Sequence, residues 1–250
     1  MNDVTFRRPI HWSSTALTDV GCVRKVNEDT VVDMGIQRLW AVADGMGGHQ
    51  VGDVASQKIA AVLAKVYPHA GLSNYVDAVE DALLEVNDEL IQLAQASFDN
   101  QTMGSTAVCL VIKNHVGVCL WVGDSRLYRL RNYKLQKLTR DHSQVEEMVQ
   151  MGMITPQEAE THPHKNVITR AVGVEHDLFV DINVFSTQVG DTFLLCSDGL
   201  YNAVPEHSIA QLLVDRSTQV CGEELMETAL ANEARDNVSL IVIKGEPGRV

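Results

Sequence analysis

The chain has no run of 18 apolar residues, no CxxC pair among its cysteines, and few basic residues for its length. The first absence excludes a membrane-spanning helix. The second leaves an odd set of five cysteines, Cys22, Cys109, Cys119, Cys196 and Cys221, three of them inside apolar runs. Buried free thiols in a reducing compartment are the simplest reading. The third absence sets the charge: 20 Lys and Arg face 33 Asp and Glu, a net charge of −13. Nucleic acid and anionic membrane are therefore poor main partners. An anionic phosphate substrate stays compatible where bound divalent ions invert the local field. There is also no internal repeat, low-complexity tract or Pro/Gly-rich linker, so residues 1–250 read as one domain. A domain of that size buries roughly 70–75% of its unfolded surface and needs no covalent staples. Residues 1–12 hold no apolar core of signal-peptide length, and the expectation is a cytoplasmic protein.

Four apolar runs carry an acidic residue at one end. Leu39–Ala43 leads to Asp44, Cys119–Val122 to Gly123 and Asp124, and Phe193–Ser197 to Asp198, while Asp236 precedes the run Val238–Ile243. Runs of this length bounded by turn residues read as buried strands. A carboxylate there is costly to desolvate unless something neutralises it. With almost no basic residue alongside, a cation is a better neutraliser than salt bridges. Oxygen-only ligands point to magnesium, manganese or calcium rather than zinc, and so to metal-assisted chemistry on phosphate.

Periodicity predicts strands at 14–20, 30–34, 39–43, 104–112, 116–122, 126–131, 134–138, 179–186, 192–197 and 238–243. Helices are expected at 50–67, 74–97, 143–151, 205–215 and 222–233. The polar, proline-containing stretch 152–167 reads as part of a mobile flap. Strands thus flank two helical pairs, an α+β layered sandwich rather than a regular βαβ alternation.

Five short motifs carry chemistry. Arg24 precedes Asn27-Glu28-Asp29 and has the planar fork suited to phosphate oxygens; Glu28 and Asp29 are candidates to hold metal or its water. In Asp44-Gly45-Met46-Gly47-Gly48-His49, glycine lets a backbone carbonyl approach a ligand. Gly123-Asp124-Ser125-Arg126, Ser197-Asp198-Gly199-Leu200 and Arg235-Asp236-Asn237 complete the set. Each alone is weak, since Asp beside Gly is most often a turn residue. Their joint occurrence in this order on strand ends is specific.

Together with Gly104-Ser105-Thr106-Ala107 and Thr169–Gly173, these motifs resemble the PPM family of metal-dependent protein phosphatases, the type 2C serine/threonine enzymes, and in particular its short stand-alone bacterial members. The resemblance runs from about residue 14 to 243, the expected core. It implies a four-layer α-β-β-α sandwich, two antiparallel sheets flanked by helical pairs, with a metal cleft at one end and a flap at about 143–168. It implies two core Mn2+ or Mg2+ ions and a third in bacterial members. By the same resemblance Asp44 bridges two metals, Gly45 adds its carbonyl, Asp198 and Asp236 complete the other shell, and Asp124 joins Asp198 at the third site. Glu28 and Asp29 order water around the metals, and Arg24 binds the substrate phosphate. A metal-bridging hydroxide then hydrolyses phosphoserine and phosphothreonine. The implied partner is a phosphorylated protein, in opposition to a bacterial serine/threonine kinase; a monomer is expected.

One position departs from the eukaryotic pattern. Met46 stands where those members carry a histidine proposed as general acid, and methionine cannot donate a proton. Other phosphatase classes lack their signatures. The residues six after the cysteines are Glu28, His115, Ser125, Asn202 and Glu227, never arginine, and neither GxxxxGK[ST] nor DxDx[TV] occurs. A catalytically silent phosphoprotein-binding adaptor on the same fold is the alternative, but Asp44, Asp198 and Asp236 are all present. His142, beside Asp141 near the flap, is a candidate to support the site. His162 and His164 read as solvated. Met46, Met148, Met151 and Met153 read as ordinary packing.

Overall fold

The computed structural model describes residues 9–47, 51–97 and 102–248. Gly48 and His49 of the glycine-rich motif lie outside them. Strands β1 (Ile10–Asp19), β2 (Asp29–Met34) and β3 (Leu39–Met46) come first, then helices α1 (Gly52–Leu63) and α2 (Leu72–Ser97). There follow β4 (Gly104–Ser105), β5 (Ala107–Lys113), β6 (Val116–Val122), β7 (Arg126–Arg131) and β8 (Lys134–Lys137). Helices α3 (Gln144–Gln150) and α4 (Pro156–Glu160) precede β9 (Asp181–Ser186) and β10 (Thr192–Cys196). The chain closes with α5 (Asp198–Ala203), α6 (Glu206–Leu212), α7 (Thr218–Ala231) and β11 (Val238–Pro247).

Two antiparallel sheets form, in the orders β1-β11-β10-β7-β8 and β2-β3-β5-β6-β9, with β4 paired to β3. Strand alternation sorts side chains into three cores. Leu39, Ala41 and Ala43 of β3 pack with α1 and α2, while Trp40 and Val42 face the other sheet. Along β11, Leu240 and Val242 pack with α5, α6 and α7, and Ile241 and Ile243 enter the inter-sheet core with Trp12, Trp121 and Phe193. Both faces of these strands are covered, which is why the sequence shows unbroken apolar runs rather than alternation. Each large side chain so buried contributes about 1.5–3 kcal/mol, and Trp40 and Phe193 are fully buried.

The expected four-layer sandwich is present, with three differences. The sheet core is longer than 14–243, because β1 starts at Ile10 and β11 runs to Pro247, the two pairing along their whole length. The second helical layer holds three helices, since α5 begins directly at Asp198; six residues are too few to show a helical period. Within the polar stretch 152–167, α4 is closed by a capping box in which Thr155 Oγ1 accepts from the Glu158 N–H and the Glu158 carboxylate accepts from the Thr155 N–H. A bridge between Ser143 and Ile168 ties off the expected flap at its limits. Met151 and Met153 are exposed there, against the packing expected of them.

Candidate metal centre and active site

The antiparallel registers bring the end of β1, the start of β2, the loops after β6 and β10 and the start of β11 to one pole. Asp19 pairs with Val238, Cys196 with Leu240 and with Arg126, and Asp29 with Asp44. All the sequence-predicted acids therefore meet at one end of the sandwich. Asp44 does not end its strand as expected: β3 continues through Gly45 and Met46, which pair with β4. The carboxylate thus projects from a fixed strand. Its backbone is held on both sides, the N–H donating to Thr106 Oγ1 (3.1 Å) and the carbonyl accepting from Ser105 Oγ (2.9 Å) and the Thr106 N–H (2.8 Å).

Asp29 lies directly opposite Asp44 in register and is buried. Like charges directly opposite in a sheet destabilise it. Asp29 Oδ2 accepts from Ser197 Oγ (2.7 Å), but its Oδ1 finds no donor among the described residues. Only a proton or a cation satisfies that pair. Burial pushes the Asp29 carboxyl up to about 6, against the hydrogen bonds of Ser197 and Ser239, with the charge of Asp236 adding to the rise. Burial and then the charges of Asp29, Asp198, Asp124 and Asp236 hold Asp44 well above the usual carboxylate range. Asp198 is raised likewise by burial and by Asp124, Asp236 and Asp29, with Arg24 opposing. Asp124 is lifted to about 6 by burial and Asp141, against the pull of Arg126. Asp44 and Asp198 are deeply set yet keep accessible surface, so they line an open cleft rather than a sealed cavity.

Arg24 enters this cluster by pairing with Asp236 (Nη2 to Oδ2 2.7 Å), which raises its own affinity for protons. Both partners remain substantially exposed, at 48% and 37% of the side chain. A pair that open is worth about 0–1 kcal/mol, so either partner can exchange it for a phosphate or a metal. Glu28 lays its carboxylate against Gly52, the first residue of α1, where an added Cβ would come within 2.8 Å of Oε1. Close packing of the backbone requires Gly45. A Cβ there would lie 2.1 Å from the Gly52 carbonyl oxygen and 2.6 Å from that of Glu28. Met46 reaches the Gly104 backbone with its methyl group.

Several supporting residues had no role expected of them from the sequence, although Ser197, Asn237 and Arg126 stand inside its motifs. Asn237 accepts from the Glu28 N–H at Oδ1 and donates to the carbonyls of Val20 and Val26, binding the Arg24–Asp29 loop to β11. Ser197 holds Asp29 and accepts from the Ser239 N–H. Tyr201 O–H reaches Asp124 at its carbonyl (3.1 Å) and Oδ2 (3.3 Å), beneath the stacked Arg126 guanidinium. Arg126 in turn forks onto Asp141. The only clue was proximity in sequence to a motif acid.

The donor set is all oxygen and nearly all anionic, the chemistry of a hard divalent cation. Among the described residues no group of three or more His, Cys, Asp or Glu side chains forms a ready cation cage, consistent with Asp236 turned onto Arg24. The fit rests on the mutually repelling Asp29, Asp44, Asp124 and Asp198 and on the unmatched Asp29 Oδ1. His162 and His164 meet edge-on, and His164 Nδ1 lies 2.8 Å from Gln144 Oε1.

A four-layer sandwich with a solvent-accessible cluster of acids at one pole is the arrangement of a divalent-metal hydrolase. The chain belongs to the protein phosphatase 2C family, whose pattern it matches over residues 25–233. It is 36% identical to the serine/threonine phosphatase stp of Listeria monocytogenes, over 91% of this chain and 93% of that protein. Among solved structures it resembles PppA, described as a key regulatory component of T6SS in Pseudomonas aeruginosa, with a TM-score of 0.88 and 37% identity over 96% of this chain and 100% of that one. The catalytic domain of the serine/threonine protein phosphatase PstP, solved with 2 manganese ions, superposes with a TM-score of 0.84 and 32% identity over 95% and 99% of the two chains.

Proposed function

We propose that this protein is a metal-dependent serine/threonine protein phosphatase and that the acid-lined cleft is its active site, residues 1–250 acting as one catalytic unit. The observation that carries the reading is the Asp29–Asp44 pair, two opposed carboxylates in a strand register that only a cation or a proton reconciles. Asp44 would bridge two Mn2+ or Mg2+ ions, Gly45 would add its carbonyl to one, and Asp198 and Asp236 would hold the other. Asp124 and Asp198 would hold a third, and Glu28 and Asp29 would keep water around the ions. Bound divalent ions supply Lewis acidity and lower the pKa of water toward neutrality.

The chain's own residues do the rest. Thr106 and Ser105 fix the backbone of Asp44, so its carboxylate need not reorganise during reaction. Arg24, loosely paired at the cleft, is the group to grip the phosphate oxygens of a phosphoserine or phosphothreonine protein. Met46 cannot protonate the leaving oxygen, and no side chain among the described residues is assigned that task. The substrate would be a phosphoprotein modified by a bacterial serine/threonine kinase, the protein acting as a cytoplasmic monomer. No helix among the described residues is long and apolar enough to cross a membrane.

Phosphate release from a phosphothreonine peptide, with manganese and then with a chelator, tests the assignment in wild type and Asp198→Asn. Activity should need manganese and fall by about a hundredfold or more in the variant. A wild-type protein that binds metal but releases no phosphate would instead support the silent adaptor.

A further inference from the structure

His142 makes contacts that no described role accounts for. It is buried at the root of the flap, one residue before Ser143, which caps α3. Its backbone N–H donates to the Gly123 carbonyl (2.9 Å), and its ring Nδ1 accepts from the Gly123 N–H (3.0 Å). One residue therefore holds both backbone groups of Gly123, the ring on the peptide that enters Gly123 and the main chain on the peptide that leads into Asp124. On its other edge, Nε2 lies 3.0 Å from Asp181 Oδ2, and its carbonyl accepts from the Thr169 N–H (2.8 Å). Trp121 stacks on the ring at 6.0 Å between centroids and 14° between planes.

These contacts define the tautomer. An Nδ1 that accepts from an amide carries no proton, so the neutral ring holds its proton on Nε2 and donates it to Asp181. Arg170 Nη1 also lies 3.2 Å from Nε2, but that nitrogen is a donor. The guanidinium hydrogens go instead to Asp181 Oδ1 (3.3 Å) and the Phe179 carbonyl (3.2 Å).

Gly123 packs closely against Thr106. It sits at φ +101, and a Cβ there would strike Thr106 Cγ2 at 2.6 Å. Thr106 is the residue that accepts from the Asp44 N–H, and its hydroxyl bonds to Ser125 Oγ at 2.7 Å. A continuous set of contacts thus runs from Asp44 through Thr106 and the 123–125 turn to His142, Asp181 and Arg170.

We infer that His142 is a positioning residue for Asp124: its ring Nδ1 holds the Gly123 N–H and its backbone N–H the Gly123 carbonyl, and together they set the turn that directs the Asp124 carboxylate and anchor it in the flap root. The inference rests on Asp124 taking part in turnover, as proposed above. Groups that orient a ligand typically cost about 10- to 100-fold in activity or metal affinity when removed.

Two isosteric changes separate the ring's two edges. His142→Asn places an amide oxygen where Nδ1 sits and keeps the acceptor for Gly123. His142→Gln places an amide near Nε2, keeping the Asp181 contact and losing the acceptor. With the full chain, saturating manganese and a phosphothreonine peptide, His142→Gln should lower kcat by about 10- to 100-fold at unchanged KM. His142→Asn should recover most of that loss. Equal impairment of both variants, or a wild-type kcat in His142→Gln, overturns the inference. Asp124→Asn is assayed in parallel: if it is unimpaired, the third-site reading falls and this one with it. If it alone is impaired, only the role of His142 falls. A measurement without variants guards against misfolding: the ring 15N spectrum of His142 should show the proton on Nε2, and a proton on Nδ1 overturns the inference.

Discussion

At the scale of single residues, the cleft mixes groups that face solvent with groups that only hold others in place, and substitution separates them. Arg24 pairs with Asp236, at a site open enough for that pair to be nearly neutral in energy. Arg24→Ala should therefore leave stability almost unchanged while raising KM for a phosphopeptide by about tenfold, the loss of one charge-assisted contact. An unaltered KM would remove Arg24 from phosphate binding. Ser197 is the opposite case, fully buried and joined to Asp29 and to the Ser239 N–H. Ser197→Ala strands both partners and should cost about 1–3 kcal/mol, lowering Tm by about 3–10 °C in a melting experiment. Asp44, Asp124 and Asp198 were legible in the sequence because each lies beside a glycine at the end of an apolar run, where a lone charge is conspicuous. Ser197, Asn237 and Tyr201 were not, because serine, asparagine and tyrosine near a turn are commonplace and their partners lie as far as 217 positions away.

At the scale of elements, the strands were legible and their limits less so. Leu39 to Ala43 announced β3, but its continuation through Asp44, Gly45 and Met46 depends on pairing with β4, a two-residue strand without any pattern of its own. The hairpin of β7 and β8 was readable through Asn132 and Tyr133, both at positive φ as a two-residue turn demands. The flap shows the same division. Composition marked the stretch 152–167 and the resemblance set limits of about 143–168, while its helix α4 rests on Thr155 and Glu158. Thr155→Ala should speed amide exchange across 155–160 with a change in Tm of no more than about 2 °C, because the segment opens without the sheets. A large fall in Tm would mean that the flap is an integral part of the sandwich.

At the scale of the whole molecule, folding brings several carboxylates together at a cost, and the protonation of that cluster governs stability. Asp29 and Asp124 are raised from 3.8 to about 6. Between those values the folded state holds more protons than the unfolded one, so for these groups stability is lost as pH rises through about 6. A divalent cation that replaces the protons reverses the effect. The rise in Tm on adding manganese, relative to chelator, should therefore be small near pH 5 and grow steadily toward pH 7.5. A rise independent of pH would place the metal away from these acids. The sequence by itself determined the layered fold and the identity of the acids, since unbroken apolar runs require strands covered on both faces and charges at their ends require a neutraliser. Only the tertiary structure decided that Asp29 opposes Asp44, that Arg24 rests on Asp236 and that His142 grips Gly123. These are contacts between segments far apart in the chain, set by strand register and loop path, and a local pattern of residue types does not encode them.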